Sequence, residues 1–63
     1  MTHTAELSSM GATVEELTRR LRAIAEAFES DRRDDLVAEV YEIERALEGA
    51  GRRISRLVGA ELA

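Results

Sequence analysis

Two runs of apolar residues at helical spacing, divided by a short block of charge, restrict this chain more than any other feature. In the first half Leu7, Met10, Val14, Leu17, Leu21, Ile24 and Phe28 recur in steps of three and four. In the second half Leu36, Val40, Ile43, Leu47, Ala50, Ile54 and Leu57 do the same. That is the period of an apolar stripe along an α-helix, kept over several heptads in each half. Between the stripes, residues 28–36 read "FESDRRDDL", with seven consecutive polar residues of which six are charged.

The phase of the stripes decides whether this block belongs to one long helix or to a turn. From Phe28 to Leu36 is a step of eight residues, so the first stripe does not run on in register. Folded back at Arg32, the chain meets itself layer by layer, with Leu7 facing Leu57, Leu17 facing Leu47, Leu21 facing Ile43 and Phe28 facing Leu36. The fold point lies inside the polar block, and both stripes have the same number of layers. The sequence therefore predicts an all-α protein, an antiparallel two-helix hairpin of coiled-coil type, as one domain over residues 1–63. The expected core is Leu17, Leu21, Ile24, Phe28, Leu36, Val40, Ile43, Leu47 and Ile54.

Local signals set the expected boundaries. Thr13 and Glu16 have the spacing of a capping box, which would start helix 1 near Val14 and end it near residue 29. The stripe reaches back to Leu7, so a start near Thr4 is the alternative, with Gly11 a weak point costing ~1 kcal/mol. Residues ahead of the helix are expected to fray, and His3, the only histidine, lies there. The turn is placed at residues 30–33. Helix 2 is expected over residues 34–58, with Ser30 or Asp31 as N-cap and Asp34 and Asp35 at the positive end of the helix dipole. Gly49 and Gly51 loosen it around Ala50, and Gly59 is the expected stop. Glu15 with Arg19, Glu16 with Arg20 and Glu48 with Arg52 have the spacing of helical ion pairs.

A 63-residue chain buries a small core and usually needs a disulfide, a metal or a partner. There is no cysteine, so association is the remaining device. Beside the stripes, Gly11, Thr18 and Ala25 of helix 1 lie on the same flank as Val37, Glu44, Gly51 and Val58 of helix 2. This small, mostly apolar flank is the expected face for a second hairpin, giving a homodimeric four-helix bundle. Glu44, its lone charge, is expected at the edge, pointing to water.

The net charge of −4 disfavours nucleic acid as a partner. No uninterrupted apolar run approaches a membrane span. The start "MTHTAELSSM" lacks the basic and apolar regions of a secretion signal, and all nine basic residues are Arg, a coding bias of GC-rich genomes. A soluble, cytoplasmic, bacterial protein is expected.

Tyr41, Arg52, Arg53 and Arg56 are the expected contacts to an unidentified protein partner. Asp31, Asp34 and Asp35 lack the glycine and the bidentate glutamate of a calcium loop, and no metal or cofactor is expected. Catalysis has little support, since Ser30 and Ser55 have no nearby base in sequence. Glu26, Ser30 and Arg33 resemble the first three positions of Glu-x-x-x-Ser-x-x-Arg-x-x-x-Gln-x-x-x-Asp, a motif of the cyclic-di-GMP-binding anti-sigma factors of actinobacteria. Val37 and Tyr41 stand where that motif has Gln and Asp. The resemblance implies a helical hairpin and, as an alternative function, a ligand-responsive regulator of a transcription factor. The leading expectation is a non-catalytic module for protein–protein interaction.

Overall fold

The computed structural model describes residues 3–63, and Met1 and Thr2 of the expected frayed tail lie outside them. Two helices, α1 (Thr4–Ser30) and α2 (Asp34–Leu62), run antiparallel and pack side by side over their whole length. The rod measures 49 × 14 × 10 Å. Its two ends are tied by polar contacts. Near the turn the Tyr41 hydroxyl donates to Glu29 at 2.7 Å. At the open end the His3 backbone N–H donates to the Glu61 carboxylate.

α1 begins at Thr4, so the stripe and not the capping box marks its start. Thr13 and Glu16 sit mid-helix and cap nothing. The Thr13 hydroxyl donates to the Ser9 carbonyl at 3.1 Å, and Glu16 accepts from Arg19 at 2.6 Å. A capping box inside a continuous apolar stripe is overridden because breaking the helix there would expose Leu7.

The turn is built by the end of α1. The Arg33 N–H donates to the Phe28 carbonyl at 2.9 Å, and the Arg32 N–H donates to the Glu29 carbonyl at 3.1 Å. Arg32 has φ 56°, the left-handed conformation such a closure requires. This pair of bonds satisfies the Phe28 and Glu29 carbonyls, and the chain reverses within three residues. Neither Ser30 nor Asp31 caps α2. Arg33 holds that position without a side-chain capping bond, and its carbonyl accepts from Leu36 and Val37. Asp34 and Asp35 fall in the first turn, where the exposed amides attract negative charge.

α2 is continuous through Gly49 and Gly51 and passes Gly59 to Leu62. Gly59 adopts no positive φ, so it does not end the helix. The extra turn brings Glu61 to His3, a contact unavailable to a helix stopped at residue 58.

The seam between the helices is rotated by about one residue from the expected stripe. Gly11 faces Ile54 and Gly51 faces Val14, in each case with room for a Cβ 3.6 Å from the opposing methyl. The numbers of these pairs total 65, one more than in the expected register, and the same register extended toward the turn aligns Ala25 with Val40 and Phe28 with Val37, all buried or half-buried. Among the described residues Ala25, Val37 and Val40 are the buried apolar ones, and Thr18 is buried with its hydroxyl bonded to the Val14 carbonyl at 2.9 Å. Leu21, Phe28, Leu36, Leu47 and Ile54 are half-buried. Leu17, Ile24 and Ile43, expected in the core, are exposed, as are Met10 and Leu57.

The rotation of the seam has a simple cause. Gly11, Thr18 and Ala25 at alternate seam positions of α1 let the helix axes approach, whereas Leu or Ile there would hold them apart. The flank assigned to a second hairpin, with Gly11, Thr18, Ala25, Val37, Glu44, Gly51 and Val58, is therefore used within the chain. All seven of these residues are buried or half-buried in the single hairpin.

Candidate functional site

The rotated seam gives the hairpin two unlike faces. Met10, Leu17 and Ile24 each directly precede a seam residue of α1 (Gly11, Thr18, Ala25). Leu36, Ile43, Ala50 and Leu57 each directly precede a seam residue of α2 (Val37, Glu44, Gly51, Val58). On antiparallel helices, positions with the same offset from the seam lie on the same side of the pair. One side of the hairpin is thus an apolar strip running its whole length. Five of its large side chains, Met10, Leu17, Ile24, Ile43 and Leu57, are 39–54% exposed.

The other side is polar. Arg22 reaches across the seam to Glu44 and Glu48, each at 3.2 Å. Glu44, expected to point to water, has a side chain only 16% exposed and is held by Arg22. Glu48 likewise takes Arg22 and not Arg52, and Arg19 pairs with Glu16 one turn back, not with Glu15. The two Arg22 pairings follow from the seam, which puts Arg22 beside α2.

Two open grooves lie on this polar side. The larger, of about 640 Å³, runs over Gly11 and Gly51 between walls that carry Glu15, Arg19, Arg22, Glu48, Arg52 and Arg56. Absence of a side chain at the two glycines leaves its floor low. The smaller, about 300 Å³, continues toward the open end past Ser8, Ala12 and Val58. None of the five exposed strip residues lines either groove.

The expected partner contacts divide between the faces. Arg52 and Arg56 wall the larger groove, and Tyr41 lies on the same side near the turn. Arg53 lies toward the border of the apolar strip. Glu29 holds the Tyr41 phenol above its ordinary pKa of 10.0, because the hydroxyl donates to that carboxylate and ionisation would set two negative charges together. At the turn, Arg33 donates to Asp35 at 3.4 Å and keeps that carboxyl below 3.8. Asp31, Asp34 and Asp35 do not converge, and among the described residues no cluster of three potential ligands gathers around a metal-sized space.

Glu26 and Ser30, which resemble a cyclic-dinucleotide motif, close α1, while Arg33 precedes α2 and is held by Asp35. Val37, at the next motif position, is buried in the seam. The three matching residues do not share a helix face. Arg22, which bridges the seam, went unnoticed in the sequence. A seam placed one residue later would have shown it facing two glutamates.

No protein-family model, curated protein or solved structure matches this chain. Among the described residues no helix is long and apolar enough to cross a membrane. The apolar strip is the feature that the hairpin itself leaves unused.

Proposed function

We propose that this chain is a non-catalytic helical module that binds protein surfaces through the face bearing Met10, Leu17, Ile24, Ile43 and Leu57. One observation carries this reading: five large apolar side chains, each 39–54% exposed, aligned on one side of a 63-residue hairpin. Large contiguous apolar patches are rare on free-standing soluble proteins and mark interaction sites. The straight, ridged surface of two helices is suited to another helical surface, which can lay its own apolar ridge between the two rows. The non-catalytic reading rests on residue types, with no cysteine and a single histidine at the start of the chain.

The test is affinity capture from the native host with the wild-type protein and a Leu17→Glu/Ile43→Glu variant. Proteins bound by the first and lost with the second support an apolar docking face. Capture that survives both charges, or that depends on Tyr41, Arg52 and Arg56, would move the function to the polar side.

A further inference from the structure

We infer that the occupant of the apolar strip is a second copy of this chain, laid face to face so that two hairpins close a four-helix bundle. The inference rests on the docking-face reading above and names its partner. It also reverses the geometry expected from the sequence, since the contact uses the large-residue face and not the glycine-bearing flank.

Three observations converge on a second copy. The first is the width of the apolar stripe. A two-stranded coiled coil needs two apolar positions per heptad, whereas a helix facing the core of a larger bundle uses three. Here α1 has three rows, Gly11–Thr18–Ala25, Val14–Leu21–Phe28 and Met10–Leu17–Ile24, and the hairpin uses only the first two. In α2 the extra row of Ile43, Ala50 and Leu57 opens on the same side. Both helices are patterned for a bundle of more than two.

The second is area. A compact folded monomer of 7.0 kDa exposes about 4,000 Å². This hairpin exposes 4877 Å². The excess is about 800 Å², the area each partner contributes to a standard stable interface. The hairpin's own core is correspondingly thin, with only Ala25, Val37, Val40 and Thr18 buried and, among the described residues, no large side chain fully enclosed.

The third is charge. The chain carries −4, yet the borders of the apolar strip balance. Along α1 the border residues include Glu6 and Arg20, and along α2 Glu39 and Arg53. Arg20, Glu39 and Arg53 make no ion pair among the described residues. A neutral border with alternating sign can meet a copy of itself without net repulsion. With α1 laid over α2 of the copy and the turns at one end, Arg20 falls beside Ala46 and Arg53 beside Thr13. Each long charged side chain then meets a small one, and no like charges are opposed.

The experiment is sedimentation equilibrium of the full chain from low to high micromolar concentration, with circular dichroism on the same samples. The expected mass is twice 7.0 kDa, and the melting temperature should rise with concentration, as folding coupled to association requires. Leu17→Glu puts a charge in the strip of both copies and should weaken association by roughly a hundredfold or more. Ala23→Glu, on the outer surface of the same helix, should leave the dimer intact. To separate loss of association from loss of folding, Ile24→Ala and Ile43→Ala are read by the concentration dependence of their melting, which should steepen relative to wild type.

A folded wild-type monomer across that range overturns the inference. So does a dimer weakened by Ala23→Glu but not by Leu17→Glu. If the protein is a folded monomer and still captures another protein through Leu17 and Ile43, self-association falls while the docking face stands. If it is a folded monomer and captures nothing through that face, both fall.

Discussion

Substitution of Gly51 tests the seam directly. Gly51 sits in the interior of a 29-residue helix, where glycine costs ~1 kcal/mol relative to alanine because its backbone is otherwise free. A Cβ at this position would lie 3.6 Å from Val14 Cγ1, an ordinary van der Waals distance that requires no movement. Gly51→Ala should therefore stabilise the protein by about 1 kcal/mol, which for a domain of this size raises Tm by roughly 4–8 °C. A leucine at the same position extends past its Cβ into Val14. Overpacking costs ~1–3 kcal/mol, enough to cancel or reverse the gain in helix propensity.

Gly59 is the internal reference. Nothing lies within 4 Å of a Cβ built there. Gly59→Ala and Gly59→Leu report propensity alone, reduced somewhat by their place in the last turns of α2. The assay is thermal unfolding followed by circular dichroism, with all variants at one protein concentration. The decisive comparison is Gly51→Leu against Gly59→Leu, in which the propensity gain largely cancels and the seam contact remains. If Gly51→Leu melts as high as Gly59→Leu, Gly51 does not face Val14, and the rotated seam is refuted. Gly11→Ala, with Ile54 Cγ2 also at 3.6 Å, should behave as Gly51→Ala does.

At the turn, Arg32→Gly should raise stability by ~1 kcal/mol, because φ 56° is strained for arginine and free for glycine; no gain in a denaturant melt would mean the turn does not use the left-handed conformation. Tyr41 is the only tyrosine and there is no tryptophan, so tyrosinate absorbance reads this one group. Its midpoint should lie above 10.0 and fall back toward that value in Glu29→Gln. Since the folded-state pKa is raised, the bond's contribution is fully present below the unfolded pKa near 10 and is lost as pH rises through the folded value. An unshifted wild-type titration would show that the two side chains do not meet in solution.

Much of the fold was legible along the chain. The three-four spacing of apolar residues, the eight-residue step from Phe28 to Leu36 and the charged block around Arg32 together specify two helices and a reversal. These are local quantities, set by backbone geometry and by the need to bury apolar side chains. The start at Thr4 also follows from the stripe, once the stripe is weighed above the capping box. A cap contributes about 1 kcal/mol, less than the burial of Leu7 and Val14 against the second helix.

Tertiary packing decided which edge of each stripe faces the other helix. Periodicity gives the direction of an apolar stripe only to within its own width, and here the width is three residue rows. The row that enters the seam is chosen by how closely two helix axes can approach. Gly11, Thr18 and Ala25 permit an approach that Met10, Leu17 and Ile24 would prevent. That choice sends the larger side chains to one outer face, draws Glu44 toward Arg22, and separates Arg53 from Arg52 and Arg56. None of these outcomes is a property of either helix alone, because each depends on the shape of the surface opposite.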